Sequence, residues 1–190
     1  SLHNTLGDLY WMVGRVKEAI ECHEISKQIA IQFDIKDFEI LSLFNIGLCQ
    51  IDLGEIKKVC KVFELVISLS ESAEFYIYAV DSYCCLSFVY SCLGYTQKAY
   101  YFAKKVESEL SITGWSIWSR GYSLVFLGLT YKNLGDIEKS FDMFRQAIAF
   151  AEESHYTQVK GKALDGLAQL YRINEEFTTA LSHHSESMKL

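Results

Sequence analysis

With 190 residues the chain has the length of one domain, and its formal net charge of −6 argues against nucleic acid as the main partner, because phosphate binding needs a basic face. Half of the residues are hydrophobic, yet polar residues break every apolar stretch, so neither a transmembrane span nor membrane insertion is expected. The six cysteines form no C-x-x-C pair and read as buried free thiols in a reducing, cytoplasmic setting rather than as a disulfide framework.

Proline is absent, as long helices joined by short turns require. In chain order the pattern predicts helices at about 1–13 and 15–33, 36–53 and 55–71, 74–93 and 95–112, 116–134 and 136–153, and 157–174 and 176–189. The first member of each pair is here called helix A and the second helix B. The stretch Leu127-Gly128-Leu129-Thr130-Tyr131 with Gly135, Ile137 and Ser140 shows the unit most clearly. Copies run from Gly7 and Tyr10 to Gly14, from Gly47 to Gly54, from Ser87 and Tyr90 to Gly94, and from Ala168 and Tyr171 to Glu175. The turn positions 14, 54, 94, 135 and 175 are spaced 40, 40, 41 and 40 residues apart, and a fixed period of this size marks a repeat architecture. Glycine at the first four turns predicts a backbone with positive φ where helix A stops. The small residues 7, 47, 87, 128 and 168 are expected to let helices A and B approach closely. Apolar pairs open the later A helices: Ile35 with Phe38, Phe75 with Tyr78, Trp115 with Trp118, and Tyr156 with Val159. They are expected to extend the core between repeats.

This pattern resembles the tetratricopeptide repeat (TPR), whose usual period is 34 residues. The longer period here is similar to the branch found in bacterial peptide-sensing regulators and Pins-type scaffolds. The resemblance implies an all-α, right-handed α-solenoid of about five helix-turn-helix repeats in a single domain, 1–190. The repeats would span about 1–34, 35–73, 74–114, 115–155 and 156–190. Neither end reads as a polar cap, so the chain is expected to be a fragment of a longer array. The open solenoid ends leave room for self-association.

No catalytic constellation is visible: there is no G-x-x-x-x-G-K-[ST], H-E-x-x-H or G-x-S-x-G. Neither a cofactor nor a metal is expected. His23 and His184 share a repeat position with Phe63 and Phe144 and are read as aromatic fillers of the A/B interface. Lys57, Lys58 and Lys61 read as a solvated helix face. Cys84, Cys85 and Cys92 form the best candidate for an enzyme site, but no His or cation accompanies them to activate a thiolate.

In TPR proteins the A helices line a concave groove. Carried over by phase, the resemblance points to Asn4, Asp8, Trp11 and Met12 in the first repeat, and to Leu41, Phe44, Asn45, Leu48 and Ile51 in the second. It points to Asp81, Cys84 and Phe88 in the third, to Tyr122, Val125, Phe126, Leu129 and Lys132 in the fourth, and to Lys162, Asp165, Gln169 and Arg172 in the fifth. The middle of this groove is apolar and its ends are polar, which suits an amphipathic helix or an extended segment with apolar anchors. The competing reading is that a tightly wound superhelix buries the same residues. Asn45 stands where the family often holds a peptide backbone, since an amide both donates and accepts. The expected function is protein–protein interaction as a scaffold, with a peptide-sensing regulatory module as the alternative.

Overall fold

The computed structural model describes residues 1–110 and 117–190, with side chains from 119 onward in the second stretch. Among these residues are ten helices: α1 (Leu2–Met12), α2 (Val16–Gln32), α3 (Lys36–Asp52), α4 (Ile56–Ser72), α5 (Tyr76–Cys92), α6 (Thr96–Leu110), α7 (Ile117–Leu134), α8 (Ile137–Ser154), α9 (Thr157–Ile173) and α10 (Phe177–Ser187). Odd-numbered helices correspond to the expected A positions and even-numbered ones to B. Each B helix packs on the A helix before it, and α2, α4, α6 and α8 also pack on the A helix that follows. The A helices additionally touch one another in sequence, α1 on α3, α3 on α5, α5 on α7 and α7 on α9. The result is a solenoid with A helices inside and B helices outside.

Burial follows from this layering. The central helix α5 is, apart from Asp81, apolar, aromatic or small all round, with Ala79 through Ser87 buried without a break, as befits a helix covered on every side. The outer helix α4 buries only Val59, Phe63, Val66 and Ser70, an i, i+4, i+7, i+11 stripe. Lys57, Lys58 and Lys61 on its other side are exposed.

The turns between helices A and B are alike. Gly14, Gly54, Gly94 and Gly135 have φ of 78°, 73°, 75° and 80°. In each case the next backbone N–H donates to a carbonyl five residues back, as from Asp136 to Tyr131 O at 3.0 Å, closing the helix end. Glu175 takes the same conformation with φ 62°, so the fifth turn forms without glycine. Asp34, Glu74 and His155 repeat the device at the turns from B to A.

Close approach of A and B rests on pairing a missing side chain with a ring. A Cβ added at Gly7 would lie 2.6 Å from the His23 ring, one at Gly47 2.8 Å from Phe63, and one at Gly128 2.7 Å from Phe144. His23 therefore fills the interface as its repeat position predicts, and it is only 1% exposed. His184 does not. Its side chain is 56% exposed, with Nδ1 3.5 Å from Asp165 Oδ1 on α9, and α9 carries Ala168 where Gly7, Gly47 and Gly128 make room for a ring. The pairs opening the A helices also divide. Val159 is fully buried, whereas Ile35 is exposed, and Trp115 and Trp118 lie outside the described side chains.

Candidate functional site: a divided groove on the concave face

The inner ends of the A helices enclose two adjoining cavities. The first, about 450 Å³, is walled by α1, α3, α5, α7 and α9. The second, about 360 Å³, lies further along the same face. Trp11 and Leu48 belong to both walls. Trp11 divides the groove: its indole meets the Tyr122 ring at 6.3 Å between centroids, and its Nε1 donates to Asp52 Oδ2 at 2.5 Å. The solenoid is thus wound tightly enough for its first A helix to touch its fourth.

The residues assigned to the groove fall into three groups. Asn4, Asp8, Leu41, Phe44, Asn45, Leu48 and Asp81 line the first cavity. Leu48, Ile51, Phe88, Tyr122, Val125, Phe126 and Leu129 line the second. Cys84 and Lys132 line neither. Cys84 is 1% exposed and its thiol donates to Ser123 O at 3.5 Å, while Lys132 donates to Gln169 Oε1. Several lining residues are simultaneously core, since Phe44 and Val125 are each 2% exposed. They form the floor, and the partly buried Phe88 and Phe126, with ring centroids 5.5 Å apart, form a wall.

Tyr78, Tyr156, Ser119 and Gln158 also line the first cavity, although repeat phase assigns none of them to the groove. Tyr78 and Tyr156 belong to the pairs that open A helices, where the sequence pattern points to inter-repeat packing. The tight winding carries the first turns of α5 and α9 over the cavity. The recurring aromatic character at these starts is the only trace of this in the sequence.

Polar groups converge on the first cavity. Asn45 Nδ2 donates to Asp8 Oδ1 at 3.0 Å, and Asn4 Nδ2 donates to Asp8 Oδ2 at 3.3 Å. Asn4 Oδ1 lies 3.1 Å from His23 Nδ1, so α1, α2 and α3 are tied by one network. Burial pushes the Asp8 carboxyl up to about 6 and the His23 imidazole down to about 4. Asn45, assigned to a peptide backbone by family phase, is therefore also occupied in holding Asp8. Asp81 is buried on the opposite wall, and burial raises it to about 7 against the opposing hydrogen bond from Ser119. Burial also raises the thiols of Cys84, Cys85 and Cys92, the last of them exposed at its surface, which is the reverse of what activates a nucleophile. Among the described residues no group of three or more His, Cys, Asp or Glu side chains is placed to hold a metal ion.

The Tetratricopeptide repeat family matches residues 122–154, the helices α7 and α8. No curated protein matches the sequence. Among solved structures, aspartyl phosphate phosphatase F from Bacillus subtilis superposes with a TM-score of 0.77 at 16% identity, over 98% of this chain and 47% of that one. The Rap conjugation gene regulator of the plasmid pLS20, in complex with the Phr* peptide, gives a TM-score of 0.73 at 13% identity, over 98% and 60%. BtubC (BKLC) from P. vanneervenii gives 0.65 at 15%, over 98% and 77%. The chain thus spans about half the length of the phosphatase it resembles. No helix among the described residues is long and apolar enough to cross a membrane. With its repeated helical pairs, its left-handed turns and a tetratricopeptide-repeat match at residues 122–154, the chain has the fold of a TPR-like α-solenoid.

Proposed function

We propose that this chain is a protein-interaction module that holds a peptide segment of its partner along the concave face. The observation that carries the reading is the pair of adjoining cavities, about 450 and 360 Å³. Both fall in the size range of ligand pockets rather than of packing defects. The second cavity offers the apolar anchor sites, on Phe88, Phe126 and Leu129. The first offers polar groups to orient the segment, on Asp8 and Asn45.

Binding of peptide pools to the intact chain, compared with Phe88→Asp, tests this. The new charge lies in the apolar wall and becomes costly when a segment covers it. Expected is loss of binding with an unchanged circular dichroism spectrum and urea midpoint. Retained binding by a folded Phe88→Asp chain overturns the assignment of the second cavity.

A peptide-sensing regulatory role is the second reading. The likeness of fold to a regulator seen with a bound peptide favours it. Small-angle scattering separates the two: a sensor changes its superhelical dimensions when peptide binds, and a scaffold keeps them.

A further inference from the structure

The first cavity contains a carboxylate with an unanswered oxygen. Asp81 is 5% exposed; its Oδ2 accepts from Ser119 Oγ at 2.9 Å, while its Oδ1 is buried without a hydrogen-bond partner. Leaving such an acceptor unmade is a substantial penalty in a folded chain. On the same face Ser87 Oγ donates to Cys84 O at 2.7 Å and Thr130 Oγ1 to Phe126 O at 2.8 Å, while the neighbouring Ser82 Oγ is, like Asp81 Oδ1, buried without a partner but does not line the cavity. Asp81 borders both the first cavity and a void of about 10 Å³ beside it. That void has room for one water at most, whereas the first cavity has room for a side chain of a ligand.

A second acidic group shares this cavity. Asp8 is held there by Asn4 and Asn45. Among the described residues no Lys, Arg or His lines the cavity, whereas Trp11, Tyr78 and Tyr156 do. Two carboxyl groups and four aromatic rings among the described lining residues, with Phe44 as the fourth, form an environment for an organic cation. A metal ion is not what these groups suit, since no cluster of three ligating side chains exists among the described residues.

We propose that the first cavity is a subsite for a basic side chain of the bound peptide, arginine in preference to lysine. This rests on the peptide-binding reading above. Arginine is preferred because a guanidinium is less strongly hydrated than an ammonium. Its planar fork can also donate to Asp81 Oδ1 while stacking on a ring. The cation brings Asp81 Oδ1 the partner it lacks and favours the ionised carboxylate, against the burial that raises it. Among the described residues the titratable groups lining the cavity are Asp8 and Asp81, with the phenols of Tyr78 and Tyr156, and His23 on α2 lies behind Asp8 with Nε2 3.8 Å from Oδ1.

Two measurements on the full chain test the subsite. In the first, the Asp81 carboxyl carbon is followed by NMR while propylguanidinium, or its neutral isostere propylurea, is added. Propylguanidinium alone is expected to move the resonance and lower its titration midpoint, and Asp81→Asn and Asp8→Asn are each expected to weaken its binding at the Trp11 indole. Equal response to both probes, or none, overturns the subsite. In the second, peptide pools fixing Arg, Lys, citrulline or Leu at one position are bound to the wild type and to Asp81→Asn. An Arg pool held about tenfold more tightly than the citrulline pool, with the preference lost in Asp81→Asn, supports the proposal. Peptides bound without that preference overturn the subsite and leave the peptide reading standing. A response to propylguanidinium with no peptide bound does the opposite.

Discussion

Trp11 and Tyr122 meet across the groove with their ring centroids 6.3 Å apart, joining the first A helix to the fourth. Tyr122 in turn packs edge-on against Tyr156, at 6.1 Å. This aromatic line sets the pitch of the solenoid and divides the concave face. Trp11→Ala is expected to merge the two cavities. It should lower stability by about 1–2 kcal/mol, less than the roughly 3–5 kcal/mol of a fully buried tryptophan, because Trp11 is only partly buried. Urea unfolding checks this, and an unchanged midpoint would show that the contact contributes nothing.

Phe144 is fully buried between two glycines, Gly128 on α7 and Gly166 on α9. Gly128→Ala should destabilise by about 1–3 kcal/mol, since the ring has nowhere to retreat. The third repeat shows the alternative, with Ser87 on helix A and Ala103 on helix B at the equivalent positions. Phe144→Ala alone should cost about 3–5 kcal/mol. The double variant should be less destabilised than the sum by at least about 1 kcal/mol. Additive effects in a double-mutant cycle would contradict the steric account.

Asp81 gives stability a pH dependence with a definite sign. Burial raises its folded pKa from 3.8 to about 7. The contribution is fully present below the unfolded value and is lost as pH rises through the folded one, because the native state retains a proton that the unfolded chain releases. Asp8, raised to about 6, acts in the same direction. His23, lowered to about 4, contributes above its ordinary 6.5 and loses that contribution as pH falls. Asp81→Asn removes one carboxyl from this balance. Relative to the wild type, it should therefore gain stability between about pH 5 and about pH 8, by a few kcal/mol. Urea titrations of both proteins at the two pH values give the difference, and a constant offset would mean that Asp81 ionises normally.

The architecture was legible in the sequence because repetition multiplies weak signals. One Gly-x-x-Tyr run says little, but five turns in phase define the helices to within a few residues. The groove was legible only in part. Phase identifies the A-helix residues that point inward, but it does not say how tightly the solenoid winds. Winding decides that Phe44 becomes floor, that Cys84 is sealed off, and that Tyr78 and Tyr156 swing over the cavity. It arises from contacts between residues far apart in the chain, such as Trp11 with Tyr122, which no local period encodes. His184 shares the phase of the ring fillers, but Ala168 on α9 stands where glycine makes room for the ring in the first, second and fourth repeats.

The groove does not suit a partner ending in an acidic C-terminal tail. The carboxylate clamp that the TPR resemblance brings to mind needs Lys, Arg and Asn from successive repeats. Here the equivalent positions hold Phe44 and Leu48, Cys84 and Phe88, and Val125 and Leu129. Asn45 already donates to Asp8, and among the described residues the first cavity is lined by two carboxyl groups and no cation. A labelled peptide with an acidic C-terminus should show no salt-sensitive binding near about 1 μM. Fluorescence anisotropy at low and high salt measures this, and micromolar, salt-sensitive binding would refute it.

Glu175 adopts the left-handed conformation that glycine supplies at the other four A-to-B turns. A side chain there is strained by roughly 1–2 kcal/mol, partly offset because glycine gains more freedom in the unfolded chain. Glu175→Gly is therefore expected to stabilise the fifth repeat by about 0.5–1 kcal/mol. The gain should be local, because the turn carries α10, which buries only Ala180 and exposes Phe177 and Leu181. α8, by contrast, buries five residues, from Ser140 to Ala151. In the wild-type chain, amides of α10 should exchange faster than those of α8. Glu175→Gly should slow exchange in α10 and leave α8 unchanged. If α10 is protected as strongly as α8 before the substitution, its few buried contacts do not limit its stability, and the turn is not where the fifth repeat is weakest.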